Sequence, residues 1–176
     1  MKTLEYLVVF FAMFLLSCRP DNQAEQASVQ VWSKEHSIDY NSEVNEREQL
    51  IISAFLKHHS YLKMDTTSSG LRYMIYKKNE GVRAKSGSNV SVKLKIELVP
   101  EGRICYQTDS ISGFELLKIG SSELESGIQE GIKLMREGEQ AKFILPSYLG
   151  HGLLGDRYTI PPQAILYVDV KLIEIK

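Results

Sequence analysis

The chain has four histidines and two cysteines, and where they fall limits the chemistry they can do. His58 and His59 are adjacent, as a metal site would like, but no second group of ligands accompanies them. They read as part of a packed helix face instead, and no metal and no cofactor is expected. Cys105 stands alone in a β-rich stretch and reads as a small buried hydrophobe rather than a reactive thiol. His151 differs, because it sits in a glycine-rich loop over residues 148–162, where side chains are exposed for function and an imidazole N–H can donate a hydrogen bond. Cys18 closes an apolar run, so its thiol stands at the boundary between greasy and polar chain. With the two cysteines in such different settings, no intramolecular disulfide is expected.

These residues have to be positioned by the rest of the 176-residue chain, long enough for one domain plus a targeting segment. The formal net charge is -1 and no run of Lys or Arg occurs, which argues against a nucleic-acid partner. Lys2 precedes an unbroken apolar run over residues 7–16, shorter than the roughly 20 residues a membrane-spanning helix needs. It reads as the core of a secretory signal. Leu15-Leu16-Ser17-Cys18 then resembles the bacterial lipobox, whose cysteine is acylated and becomes the new N-terminus. That resemblance implies a signal peptide over 1–17 and lipidation at Cys18. It also implies a protein held on a membrane of the bacterial envelope, with its domain outside the cytoplasm. Two or more acyl chains anchor stably where one is marginal. Residues 18–41, polar and aperiodic around Trp32, are expected to be a tether.

From residue 42 the pattern turns helical. Leu50, Ile51, Ala54, Phe55, His58 and Leu62 recur at spacings of three and four, with Glu43 and Glu46 in the first turn, so a helix is expected within 42–66. Beyond Gly70 the chain reads mostly as strands. Residues 71–76 form a β-rich run. Val90, Val92, Leu94, Ile96 and Leu98 alternate with Ser91, Lys93, Lys95 and Glu97, a strand with one wet face. Val99-Pro100-Glu101-Gly102 turns it into a shorter strand. Leu124, Ile128, Ile132 and Met135 mark a short helix between Gly120 and Gly138, and residues 140–145 and 164–175 read as closing strands. Strands joined by short turns around one helix give an antiparallel α+β domain.

Three ordered blocks in residues 70–176 resemble the FKBP-type peptidyl-prolyl isomerases. Gly127-Ile128-Gln129-Glu130-Gly131-Ile132 with Met135 and Gly138-Glu139 is similar to the family's helix and the turn after it. Leu145-Pro146-Ser147-Tyr148-Leu149-Gly150-His151-Gly152 and Ile160-Pro161-Pro162-Gln163-Ala164 are similar to its loop motifs, with Leu166 to Val170 following as the closing strand. Ser69-Gly70-Leu71-Arg72-Tyr73 resembles the entrance of bacterial secreted members. The resemblance implies a half-barrel of about five antiparallel strands wrapped around one short helix, here preceded by the N-terminal helix. It also implies an apolar pocket that binds proline-containing polypeptide clients. The glycine-rich loop is further similar to that of the FKBP-type lipoproteins associated with gliding motility.

Carried over by position, the resemblance implies catalytic roles for Tyr106, Glu125 (through its backbone N–H), His151 and Ile160. It implies a binding surface of Leu94, Leu124, Ile128 and Val168. Alternation favours Leu94 over Lys95 as the inward residue. Several positions depart from the family: Cys105-Tyr106 stands in place of a Phe-Asp pair, His151 in place of a tyrosine, and Ile128 and Val168 in place of aromatics. Two functions therefore stay open, an isomerase or a chaperone or docking module with little activity. The retained Ile160 and the helix motif favour the isomerase. Neither the client nor the oligomeric state is legible in the sequence.

Overall fold

The structure, a computed structural model, describes residues 33–108, 113–121 and 124–176. The apolar leader, Cys18 and the first part of the expected tether lie outside these residues. The elements in chain order are helix α1 (Lys34–His58), strands β1 (Asp65–Thr66), β2 (Arg72–Lys77), β3 (Asn89–Val99), β4 (Ile104–Gln107) and β5 (Glu115–Lys118), helix α2 (Ser126–Leu134), and strands β6 (Gln140–Leu145) and β7 (Ile165–Ile175). A short 3-10 helix covers Ser147–Leu149.

Strand β3 is the spine, and the apolar half of its alternation faces the core, although Ser91, expected on the wet face, is buried as well. Val90, Val92, Leu94, Ile96 and Leu98 are all buried, while Lys93 and Glu101 beyond its end meet solvent. It pairs with β7 from Val90↔Ile175 to Val99↔Ile165. From there the sheet runs through β6 and β2 to β1, and every pairing is antiparallel. The opposite edge of β3 is shared: β5 takes residues 89–92 and β4 takes Lys95 to Glu97. Among the described residues the sheet thus holds seven strands rather than about five. The surplus includes β1 and β5, two and four residues long, too short for a periodic signal.

Helix α2 lies on the inner face, where Ile128 and Ile132 join the main core with Phe143, Val168 and Val170. Gly127 and Gly131 let it approach the sheet closely. A Cβ at Gly127 would stand 2.7 Å from Leu145 Cγ, and one at Gly131 2.4 Å from Phe143 Cε2. Leu124, expected inside this helix, precedes it.

Residues 38–176 belong to one unit, so most of α1 is part of the same domain. Successive strand residues point to opposite faces, and Ile144, next to Phe143, faces outward. There Ile52 of α1 packs with Val99, Ile144 and Ile165, flanked by Ile51 and Phe55. The sheet therefore carries a helix on each face. Two expectations about α1 need correcting. It starts at Lys34 and stops at His58, so part of the expected tether is helical and residues 59–66 are not. Its buried line is Val44, Glu48 and Ile52, whereas Leu50, placed on the packed face by its type, is 73% exposed. A buried glutamate in the seam hid the true face from a hydrophobicity pattern.

Candidate active-site cleft

On the inner face, a cleft of about 290 Å³ opens between the β3–β5 edge, the start of α2 and the loop after β6. Leu94 and Ile96 of β3 form its floor, with Ile160 from the loop, and all three are buried. Leu117 of β5 and Leu124 ahead of α2 add apolar wall. Tyr106, Glu115, Glu125, His151 and Asp156 bring polar groups to it, and Cys105 lies at its side. A roomier hollow of about 340 Å³ on the outer face is lined by Lys93, Lys95, Lys171 and Asp169, which suits water better than an apolar ligand.

Three small networks shape the cleft. The first joins loop to helix: His151 Nε2–H donates to Glu125 Oε1 at 2.8 Å. Glu125 immediately precedes α2 with φ -54° and ψ 136°, so its own N–H stands outside the helix ladder, and its carboxylate makes no cap bond. In the free protein this His151 N–H is given to Glu125. The second network is built around Glu115. Tyr106 Oη–H and Thr108 Oγ1–H both donate to Glu115 Oε1, the latter at 2.8 Å, while Thr108 Oγ1 accepts from Leu94 N–H at 2.8 Å. Desolvation, reinforced by the hydrogen bond to Glu115 and its charge, pushes the Tyr106 phenol up to about 12, so it remains a donor.

The third network is centred on Asp156. Its Oδ1 accepts from the N–H groups of Tyr158, Thr159 and Ile160 at 2.8, 2.8 and 2.7 Å, and its Oδ2 from Thr159 Oγ1–H at 2.8 Å. Desolvation alone would raise the carboxyl pKa. The four donors outweigh it and hold the pKa well below the ordinary carboxylate range. Ile160 is thereby fixed on the floor. Gly155 permits this closure: its φ is +66°, and a Cβ there would lie 2.1 Å from Ile160 O. Cys105 Sγ faces Thr159 O at 3.8 Å, and desolvation pushes its thiol pKa up, so it stays protonated.

Six of the eight expected side chains therefore meet at one cleft: Leu94, Tyr106, Leu124, Glu125, His151 and Ile160. Ile128 and Val168, expected on the binding surface, do not line it and are fully covered within the core. Once an aromatic is replaced by a shorter aliphatic chain, the side chain ends flush with its neighbours. Glu115 and Asp156 were missed. The Asp-x-x-Thr spacing of Asp156 and Thr159 is a turn signal that marks the latter. Nothing local marks Glu115, whose partners arrive by strand pairing. Among the described residues, no cluster of three His, Cys, Asp or Glu side chains could hold a metal ion.

A family model described as FKBP-type peptidyl-prolyl cis-trans isomerase matches residues 80–173. The chain belongs to the FKBP-type family. It is 33% identical over 123 residues to the probable FKBP-type isomerase FkpA of Neisseria meningitidis, covering 69% of this chain and 44% of that protein. To FkpA of Buchnera aphidicola it is 33% identical over 141 residues, covering 76% and 53%. The chain thus spans about half the length of these curated relatives. Among solved structures, the FKBP fold is shared with a peptidyl-prolyl cis-trans isomerase from Pseudomonas syringae (TM-score 0.65, 17% identity, 77% of this chain and 95% of that one). It is shared too with FkpA from Escherichia coli (TM-score 0.62, 19% identity, 100% and 83%).

Proposed function

We propose that this chain is a peptidyl-prolyl cis-trans isomerase that binds X-Pro segments of exported polypeptides in the 290 Å³ cleft, at a membrane surface to which Cys18 tethers it. The observation that carries the reading is the buried apolar floor of Leu94, Ile96 and Ile160 beneath a rim of polar groups. Rotation about an X-Pro bond must break amide resonance, a barrier of about 18–20 kcal/mol for peptide bonds. Water stabilises the planar, charge-separated amide. A site that removes that water and grips the proline ring favours the twisted amide, and needs neither nucleophile nor metal. The Glu125 N–H at the head of α2 is the donor that orients the flanking carbonyl, and Tyr106, whose O–H is given to Glu115, adds its ring to the wall.

Isomerisation of a short X-Pro peptide by the chain lacking residues 1–18 tests the reading. We expect catalysis at micromolar protein, reduced about tenfold by Ile160→Ala and about threefold by His151→Ala, losses equal to part of one apolar contact and one hydrogen bond. A rate no faster than background would overturn it. Uncatalysed exchange takes roughly tens to hundreds of seconds, so the signal is easily timed.

The membrane part rests on the Leu15-Leu16-Ser17-Cys18 order after the apolar run. Cys18→Ala is expected to move the protein from the membrane to the soluble fraction on cell fractionation. Full membrane retention of that variant would rule the anchor out.

A further inference from the structure

Glu48 is 1% exposed, in a helix seam whose other buried members are Val44 and Ile52. Burying a carboxylate is expensive unless strong partners offset the lost hydration. Here one oxygen has a partner and the other has none: Oε2 accepts from Ser147 N–H at 2.9 Å, while the buried Oε1 has no hydrogen bond. This is a costly way to hold a helix against a sheet, since an apolar residue would pack the same seam without penalty. Its return lies in what Ser147 holds.

Ser147 is the first residue of the 3-10 turn, and no bond within the turn can satisfy its N–H. Its carbonyl accepts from both Gly150 N–H (2.9 Å) and Gly152 N–H (2.8 Å), the two residues flanking His151. The Gly152 carbonyl accepts in turn from Gln163 N–H at 2.9 Å, closing the base of the loop that bears Asp156 and Ile160. The Gln163 side chain then returns to α1, where its Oε1 accepts from Arg47 Nη2–H. The links run from Glu48 through Ser147, Gly152 and Gln163 to Arg47, so neighbouring residues of α1 grip both ends of one loop.

We infer that Glu48 is a positioning residue for the cleft: from the far face of the sheet it fixes, through Ser147, the loop that presents His151 and Ile160. Helix α1 is then part of the working site, although residues 80–173 alone match the family model. The effect on catalysis rests on the isomerase reading, but the effect on the loop does not.

The test uses the full chain with Glu48→Ala, Glu48→Gln and Arg47→Ala, followed by hydrogen exchange and by X-Pro peptide kinetics. In Glu48→Ala, exchange across residues 147–163 should quicken about tenfold while β3 and β7 stay protected, a local opening rather than global unfolding. kcat/KM should fall about five- to tenfold through misplacement of the wall. Glu48→Gln keeps an oxygen acceptor for Ser147 and should return both readouts to within about twofold of the original chain. Exchange unchanged over 147–163, or raised equally in β3 and β7, would overturn the inference. So would Glu48→Gln behaving like Glu48→Ala. If Glu48→Ala does not fold, the exposed Arg47→Ala decides. It should loosen the same loop about threefold, and no change there would overturn the inference. An original chain without isomerase activity would remove the proposed function and leave the exchange result to judge Glu48.

Discussion

Replacing Phe143 by alanine is expected to remove about 3–5 kcal/mol of folding stability, a large part of what holds a domain of this size together. The ring is fully buried between α2 and the sheet, pairing across strands with Tyr73 on one side and Val168 on the other. The gap it leaves cannot easily refill. Gly131 faces it without a side chain, and Ile128 and Ile132 are β-branched and stiff at χ1. The same contact fixes the sign of Gly131→Ala. Helix propensity alone favours alanine by about 1 kcal/mol. Against that, the new Cβ would stand 2.4 Å from Cε2 of a ring that has nowhere to move, and overpacking of this kind costs about 1–3 kcal/mol. Gly131→Ala should therefore destabilise the original chain and become nearly neutral beside Phe143→Leu, which vacates that space. Urea unfolding of the original chain, Gly131→Ala, Phe143→Leu and their double variant gives the coupling directly, with Phe143→Ala unfolded beside them. Strict additivity, or a loss below about 1 kcal/mol for Phe143→Ala, would mean that helix and sheet are not packed as described.

The parts of this architecture that were legible in sequence are those in which one element carries its own signal. The alternation from Val90 to Leu98 placed β3 and its register, so Leu94 faces inward and Lys95 pairs outward with Glu97. The helical spacing of Ile128, Ile132 and Met135 marked the helix, and the close approach of its Gly127 and Gly131 to Leu145 and Phe143 shows why glycine stands at those two places. Features created by two distant segments were not legible. Helix α1 has a polar first half that reads as tether, and its seam contains Glu48, whose partner Ser147 lies 99 residues away. The expected face ran through Leu50 because periodicity weighs residue type, and a leucine facing water looks the same in sequence as one facing a sheet. Glu115 meets Tyr106 only because β4 and β5 share one edge of β3. Ile128 and Val168 were assigned from family positions, and such positions carry a location but not the reach of a shorter side chain.

Asp156→Ala should lower kcat/KM by about 10–100-fold while leaving the fold intact. The four donors that Asp156 collects all lie within residues 158–160 of the loop, of which only Ile160 reaches the core. Without the carboxylate, Ile160 N–H loses its partner and the side chain leaves the cleft floor, where an error of about 1 Å is enough for losses of this size. Asp156→Asn keeps one oxygen for the backbone donors and gives up the charge, so its loss should be only severalfold. The pH dependence follows from the direction of the shift. The folded pKa lies below the unfolded value of about 3.9, so the contribution to loop order is complete above that value and is lost as pH falls through the folded pKa. The Ile160 amide proton should thus hold its shift from about pH 8 down to about pH 5, moving only in stronger acid, whereas in Asp156→Asn it should not respond to pH at all. Reading the amide rather than the rate reports on the loop that Asp156 holds rather than on the other polar groups of the cleft. An amide that titrates at or above the ordinary carboxylate range in the original chain would show that the loop is not held by a charged Asp156. Ile160 would then owe its place to burial against Leu94 and Ile96 alone.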